Sequence, residues 1–355
     1  MINILKVRVN QAKEMFMMKL DEKTVATVCG HDIKQFTLIN DHQTRVDILS
    51  WGASLQHFIV NENGNEQSLI ISYPTVEEYL SDHWKLCKAV GPVAGRIDKA
   101  AFDINGHHYQ LRPNENDNLL HSGSHGFSDI NWDGHININD DKMEVVLNHH
   151  FDPYDIGFPG HVDVTMTYCL DNDDRLLIKW RVVSDQATLF NPTVHTYFNI
   201  GDQTNLDGQK LQINSQYRTA LRDDKIPTGA LVDVTNTPFD FRQGVYLDDA
   251  LQKLHDQTTQ IPFDDAFQVT PSLIKPIATL STAERRVKIY SDRNGLVVFT
   301  ANPLDAHEQV QHHFNAVALE AQTLPDAIHH DGFGNIILSA YHAYQCHIIY
   351  QYEKL

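Results

Sequence analysis

Five stretches of the 355-residue chain combine histidine, carboxylate or arginine with neighbours that restrict where those groups can point. Histidine alone says little in a chain that has 21 of them, so the neighbours carry the argument. His195 lies in Asn191-Pro-Thr-Val-His-Thr-Tyr-Phe-Asn-Ile-Gly201, after a proline-containing strand start and before an aromatic pair. That setting can hold an imidazole rigidly on a sheet surface, where it suits acid–base work near neutral pH. A half-exposed strand histidine is the competing reading. Glu320 ends the apolar run Phe314 to Leu319, inside Ala318-Leu-Glu-Ala-Gln-Thr-Leu-Pro-Asp-Ala327. A carboxylate there is costly unless it is partnered or faces a cleft, and such placement raises its pKa and equips it as a general base. A strand-end glutamate in solvent is the alternative.

Three further stretches could hold a ligand. His121 and His125 lie in Asn118-Leu-Leu-His-Ser-Gly-Ser-His-Gly-Phe127. Histidines four apart share a metal on a helix, but the intervening Ser-Gly-Ser argues for a loop. His307-Glu-Gln-Val-Gln-His312 has its histidines five apart, off a common helix face. That stretch and His329-His330 read as solvated surface, and no metal site is expected. Arg96, in Gly91-Pro-Val-Ala-Gly-Arg-Ile97, is set among small residues and would bind a carboxylate or a ligand oxygen, unless it is an exposed loop arginine. These glycines do not have the spacing of a nucleotide-binding loop. Asp264 and Asp265, between aromatics in Ile261-Pro-Phe-Asp-Asp-Ala-Phe267, could hold sugar hydroxyls or form a plain polar turn.

The elements that must position these groups are mostly strands. From His161 to Leu170, Val162, Val164, Met166, Tyr168 and Leu170 alternate with polar residues, the period of a half-buried strand. An acidic turn, Asp171 to Asp174, precedes its expected partner, Leu176–Val183. Similar runs occur at Arg45–Val60, Met143–Asn148, Val287–Tyr290, Leu296–Thr300 and Tyr344–Tyr352. Asn63-Gly64, Asn105-Gly106 and Asn294-Gly295 supply hairpin signals beside them. Helix is expected only at Thr75–Leu80 and Val245–His255, the latter with Leu247, Ala250, Leu251 and Leu254 on one face. The fold class is therefore all-β, a large sandwich or barrel with few short helices.

Composition narrows the function. With 28 Lys and Arg against 46 Asp and Glu, the net charge is −18. Such a surface repels nucleic acid and anionic membranes and disfavours phosphorylated substrates, so a neutral small molecule fits best. The four cysteines, Cys29, Cys87, Cys169 and Cys346, form no CxxC pair and suit a reducing cytoplasm. No apolar run approaches a membrane span, and the first twenty residues lack a signal-peptide core.

Taken in order, these segments resemble the aldose 1-epimerase (galactose mutarotase) family from about Val25 to Tyr352. The resemblance rests also on Trp51-Gly-Ala-Ser-Leu, Glu77-Glu-Tyr-Leu80, Gly157-Phe-Pro-Gly160, Ile226-Pro-Thr-Gly229 and Thr237-Pro-Phe-Asp-Phe-Arg242. It implies a galactose mutarotase-like β-sandwich (a supersandwich) with the sugar in an open cleft. Residues 19–355 would form one domain, and residues 1–18 an N-terminal extension outside the match. Glu320 would take the C1 hydroxyl proton and His195 would protonate the ring oxygen, helped by His121. Arg96 and Asp264 would hold sugar hydroxyls. Asn191, Tyr197, Asn199 and Gln322 match framework positions around the site, with Asn191 and Gln322 counted in the sugar-binding set. The family often has Asn where this chain has Gly95 and Val194, and an Asp–His–Asn run where it has Asp264-Asp265-Ala266. Those differences concern the rim that tells one sugar from another.

The implied activity is interconversion of the α and β anomers of a free aldose, galactose or glucose. No carbon–hydrogen bond breaks, so no cofactor is expected. One member of the Glu–His pair would start ionised and the other protonated near neutral pH, giving a bell-shaped pH profile. Maltose or another reducing disaccharide is an alternative substrate, since only C1 and the ring oxygen react. A hexose-phosphate epimerase would want more Arg or Lys, a glycoside hydrolase a pair of carboxylates flanking the scissile bond. A non-catalytic sugar-binding module would not need both Glu320 and His195. The protein is expected to act in the cytoplasm as a monomer or homodimer.

Overall fold

The computed structural model describes residues 19–139, 142–260 and 262–355. The proposed extension, residues 1–18, lies outside the described residues, as does Ile261. Three antiparallel sheets carry most of the chain. The first is a five-stranded meander, Lys19–Val28, His31–Ile39, Arg45–Leu49, Ser54–Glu62 and Asn65–Ser68. The second has nine strands. It runs in sequence from Asp133–Asn139 through Lys142–Phe151 and Val162–Leu170 to Arg175–Ser184. It continues with Tyr344–Lys354, then Arg285–Ser291, Ala278–Ser281, Lys210–Ile213 and Val245–Tyr246. The third orders Tyr197–Phe198, Ala316–Gln322, Gly295–Ala301, Asp264–Gln268, Tyr217–Leu221 and Pro227–Asp233.

Alternation decides which face each strand buries. Val162, Val164, Met166, Tyr168 and Leu170 are buried as expected, and the paired strand buries Leu176, Ile178, Trp180 and Val182. Side chains of all three sheets meet in one apolar cluster, with Phe36 and Leu55 from the first, Val164 and Ile178 from the second, and Val298 and Leu319 from the third. The hydrophobic effect acting on these alternate residues holds the sheets face to face as a β-sandwich.

The turn signals divide instructively. Asn63-Gly64 and Asn105-Gly106 close two-residue hairpins, each with both residues at positive φ, as a type I′ turn requires. Asn294-Gly295 does not close a hairpin. It carries the chain from Arg285–Ser291 in the nine-stranded sheet to Gly295–Ala301 in the six-stranded one. Gly295 serves packing instead: a Cβ there would lie 2.8 Å from the Gln322 carbonyl oxygen.

Helices are few and short. Val76–Leu80 is capped by Thr75, whose hydroxyl accepts from the Glu78 N–H while the Glu78 carboxylate accepts from the Thr75 N–H. Single turns follow at Pro153–Ile156 and Ala306–Val310, and a longer helix, Leu247–Gln257, buries Leu247, Ala250 and Leu254. It starts two residues later than its sequence suggests, because Val245 and Tyr246 pair with Lys210–Ile213 as an edge strand. No helix among the described residues is long and apolar enough to cross a membrane.

Candidate active site

One face of the six-stranded sheet forms the floor of a cleft of about 210 Å³. Strand register explains which residues meet there. Glu320 pairs with Val297, and Val297 with Ala266. One step along, Tyr197 pairs with Ala318, Ala318 with Phe299, and Phe299 with Asp264. Directly opposed residues point to the same face, so both rows project together. Every member except Ala318 lines the cleft, and Gln322, two residues beyond Glu320, lines it too.

Glu320 is not at a strand end in solvent. It sits inside Ala316–Gln322, a strand buried along its whole length, and is 2% exposed. His195 follows the short strand Thr193–Val194. Its backbone is pinned on both sides: its N–H donates to the Lys88 carbonyl at 2.9 Å, and its carbonyl accepts from the Cys87 N–H at 3.1 Å. The Tyr197 ring stacks against its imidazole, with centroids 4.7 Å apart. These restraints bring His195 Nε2 to 3.4 Å from Glu320 Oε1.

That distance suits an ion pair, but burial favours the neutral form of each partner. Desolvation, reinforced by Asp264 and opposed by Arg96, pushes the Glu320 carboxyl up to about 8. Desolvation pulls His195 down to about 4, against the attraction of Asp82. The expectation of one ionised and one protonated partner is therefore corrected for the empty site. Burial thus favours the neutral carboxyl and the neutral imidazole over an ion pair. Among the described residues, Glu320 Oε2 and His195 Nδ1 have no hydrogen-bond partner.

His121 and Arg96 arrive on a second piece of structure. The two-stranded ribbon of Arg96–Ile97 and Leu119–Leu120 pairs Arg96 with Leu120, which places His121 at its end. The His121 N–H donates to the Gly95 carbonyl at 2.9 Å, and its Nδ1 accepts from the Gly95 N–H at 3.2 Å. With Nδ1 used as an acceptor, the ring proton of the neutral imidazole resides on Nε2. Desolvation, then the nearby His195 and Arg96, hold His121 well below its usual pKa. Its ring meets that of His195 edge to face at 5.6 Å.

Arg96 is not an exposed loop arginine. Its guanidinium binds Glu115 through Nε at 2.5 Å and a terminal nitrogen at 2.9 Å, with Asp264 at 3.9 Å. Lys225 reaches within 4.0 Å of the same Asp264 carboxylate. Sequence reasoning missed Glu115, which lies in a polar stretch with no local mark of its long-range partner. It also missed the cleft-lining Trp84, Lys85, Lys225 and Phe299. Trp84 and Lys85 are held by a knot around Asp82, which accepts the Trp84 and Leu86 N–H groups and the Tyr73 hydroxyl. The buried Lys88 ammonium lies 3.3 Å from the same carboxylate. The Trp84 carbonyl in turn accepts the Tyr197 hydroxyl at 2.8 Å, tying this loop to the tyrosine stacked on His195.

Some expected residues do not reach the cleft. Asn191 is fully buried, with its amide donating to the Thr323 carbonyl and its oxygen accepting from the Thr323 N–H and Arg293. It is a framework residue, not a sugar-binding one. Asn199 likewise caps the carbonyls of Gln203, Asn205 and Asn315. Of the three rim differences, Gly95 and Ala266 line the cleft, whereas Val194 is packed in the apolar core. His330 is not solvated surface: its Nε2 lies 3.0 Å from the Pro227 carbonyl, and it flanks Asp326 together with His329.

The family model for aldose 1-epimerase matches residues 34–351. The chain belongs to the aldose 1-epimerase family. A maltose epimerase of Levilactobacillus brevis is 45% identical over 340 residues, covering 95% of this chain and 100% of the other. An aldose 1-epimerase of Streptococcus thermophilus is 36% identical over 349 residues, covering 94% and 99%. Among solved structures, a galactose 1-epimerase from Lactobacillus acidophilus superposes with a TM-score of 0.84 at 26% identity, covering 95% of this chain and 99% of that one. Like other aldose 1-epimerases, this one is an isomerase, interconverting the α and β anomers of a free aldose on a galactose mutarotase-like sandwich.

Proposed function

We propose that Glu320 and His195 carry the reaction as a pair sharing one proton, and that reducing disaccharides such as maltose are among the sugars turned over. The observation behind the first part is the 3.4 Å contact between two buried groups on the floor of the cleft. The 45% identity to a maltose epimerase over its whole length supports the second.

In the empty site the shared proton is on Glu320. A C1 hydroxyl donating to the unsatisfied Oε2 stabilises the carboxylate, so the shared proton passes to His195. Glu320 then takes the C1 hydroxyl proton while His195 gives its proton to the ring oxygen, and the His121 Nε2–H steadies that oxygen. The bond between C1 and the ring oxygen breaks, leaving the open aldehyde. Rotation about C1–C2 follows, and on closure the roles reverse: His195 takes the proton of the 5-hydroxyl, Glu320 gives its proton to the aldehyde oxygen, and the other anomer results. Arg96 and Asp264 hold ring hydroxyls, and Gln322 Oε1 accepts from another. The net charge of −18 supports a neutral substrate and disfavours nucleic acid and anionic membranes as partners. Four free cysteines suit a reducing cytoplasm, where the enzyme would act as a monomer or homodimer. Residues 19–355 act as one domain.

The test is polarimetry of freshly dissolved α-glucose, α-galactose and maltose. Wild type should speed the approach to equilibrium rotation, and Glu320→Gln should reduce the enzymatic rate by about 10²–10⁴-fold. Wild-type rates in Glu320→Gln would refute the catalytic assignment.

A further inference from the structure

The loop after the helix Val76–Leu80, residues 81–88, takes a bend that its residue types resist. Lys85 and Cys87 adopt φ +54° and +53°, left-handed backbone that suits glycine. Such a bend persists only where its surroundings over-determine it. Asp82 does so from inside the loop. Its side chain is 0% exposed. Oδ1 accepts the Trp84 N–H at 2.8 Å and the Tyr73 hydroxyl at 2.9 Å, and Oδ2 accepts the Leu86 N–H at 2.8 Å. A carboxylate this far from water is costly unless hydrogen bonds and a counter-charge recover the loss. The Lys88 ammonium supplies the counter-charge, 3.3 Å from Oδ2, and itself donates to the Tyr79 carbonyl at 2.7 Å. Tyr73, Asp82 and Lys88 all lie outside the lining of the cleft.

The other side of the same loop holds His195. The Cys87 N–H donates to the His195 carbonyl, and the His195 N–H donates to the Lys88 carbonyl. The Trp84 carbonyl accepts the Tyr197 hydroxyl, and Cys87 Sγ accepts the Tyr197 N–H at 3.4 Å. Those two bonds fix the ring that stacks on the imidazole. We infer that Asp82 is a positioning residue for the epimerase reaction: by fixing the backbone from Trp84 to Leu86, it sets where the His195 imidazole stands against Glu320. The 3.4 Å between His195 Nε2 and Glu320 Oε1 leaves little room for drift, because proton transfer needs hydrogen-bond reach. Desolvation lowers the proton affinity of His195, and the Asp82 charge works against it. The inference rests on the catalytic reading of His195 proposed above. Asp82 itself touches neither the substrate nor the imidazole.

The test is a double-mutant cycle read by polarimetry on freshly dissolved α-glucose, with a melting temperature for each variant. Asp82→Asn keeps the shape of the side chain but turns one accepting oxygen into a donor. Whichever way the amide lies, that donor faces a backbone N–H. The expected result is a fall in kcat of about tenfold or more with KM within about twofold, because slight misplacement of a reacting group is costly. In a His195→Asn background the same substitution should cost less than about twofold, since nothing is left to position. Tyr73→Phe removes one donor from the Asp82 carboxylate and no backbone bond. It should lower kcat by about two- to fivefold in the same cycle, and it carries the test if Asp82→Asn does not fold. Equal losses with and without His195 overturn the inference and leave the catalytic reading standing. So does an unchanged kcat in the folded variants, whatever their melting temperatures. A wild-type rate in His195→Asn overturns both.

Discussion

The floor of the cleft and its rim treat polar groups in opposite ways. On the floor, Glu320 Oε2, His195 Nδ1 and Gln322 Oε1 are buried without partners among the described residues. On the rim, Arg96 is engaged by Glu115, Lys85 by both oxygens of Asp129, and Arg222 by Asp98 and Asp224. Each unsatisfied buried group costs about 1–3 kcal/mol in the empty protein. A polyhydroxyl ligand can return that energy on the floor, where bonds are made and broken, but has little to gain by displacing ion pairs at the rim. The floor is reactive because it is incomplete, and the rim holds its shape because it is complete.

The largest effect should come from altering the floor. His195→Asn keeps the fold but removes the group that trades a proton with Glu320, and kcat should fall by about 10²–10⁴-fold with KM little changed. The wild-type pH profile sharpens the point. Activity requires one proton on the pair. It should therefore fall above about 8, as the Glu320 carboxyl gives up the last one. It should also fall below about 4, as His195 takes a second. The two limbs belong to the coupled pair, not to either residue alone. A profile centred on the ordinary histidine value, with its half-maximum near 6.5, would show that the floor is wetter than its burial suggests.

How much of this contrast can be read in the sequence follows from the range of the forces involved. The strand pair Val162–Leu170 and Arg175–Ser184 is legible because alternation and an acidic turn are local signals. Glu320 stands out because a carboxylate after an apolar run is anomalous in itself, and the ordered motifs bring His195, His121, Arg96 and Asp264 into one family pattern. Glu115 is invisible because its reason for being there lies 19 residues away, on Arg96. Asn294-Gly295 misleads for a related reason. Its amide side chain accepts from the Leu324 N–H and donates to the Phe333 carbonyl, so the pair answers to tertiary contacts and not to a turn. Asn191 misleads because a motif records which residues recur together, not which way they point. Reference pKa values describe water and both groups are dry, so the residue types suggest an ion pair where burial favours the neutral forms.

An intermediate effect is expected where the rim touches the substrate. Glu115→Gln leaves one hydrogen bond to Arg96 but removes the charge that fixes its guanidinium. Arg96 is then free to close the 3.9 Å gap to Asp264, and both groups meant for sugar hydroxyls engage each other. KM should rise by about three- to tenfold with kcat within about twofold, the signature of lost uniform binding. A fall in kcat comparable to that of His195→Asn would break the division between floor and rim, since it would put Glu115 in the transition state.

The smallest effect should come from Arg222, whose guanidinium clamps Asp98, just after Arg96-Ile97, to Asp224, beside Lys225. Three charges in good geometry look like a strong fastening, yet the arginine side chain is 41% exposed. Water and salt compete for every bond in such a place, and exposed pairs contribute about 0–1 kcal/mol. Both residues it releases in Arg222→Ala stay anchored otherwise: the Asp98 backbone N–H still donates to the Asp326 carboxylate, and the Asn118 amide still donates to the Asp224 carboxylate. The variant should lose less than about 1 kcal/mol in a chemical denaturation, less still as salt is raised, with glucose and maltose turnover unchanged. If instead KM rises for both sugars as in Glu115→Gln, then the turn bearing Lys225 moves when unclamped. The rim would then owe its shape to surface charge, and not to the buried network behind it.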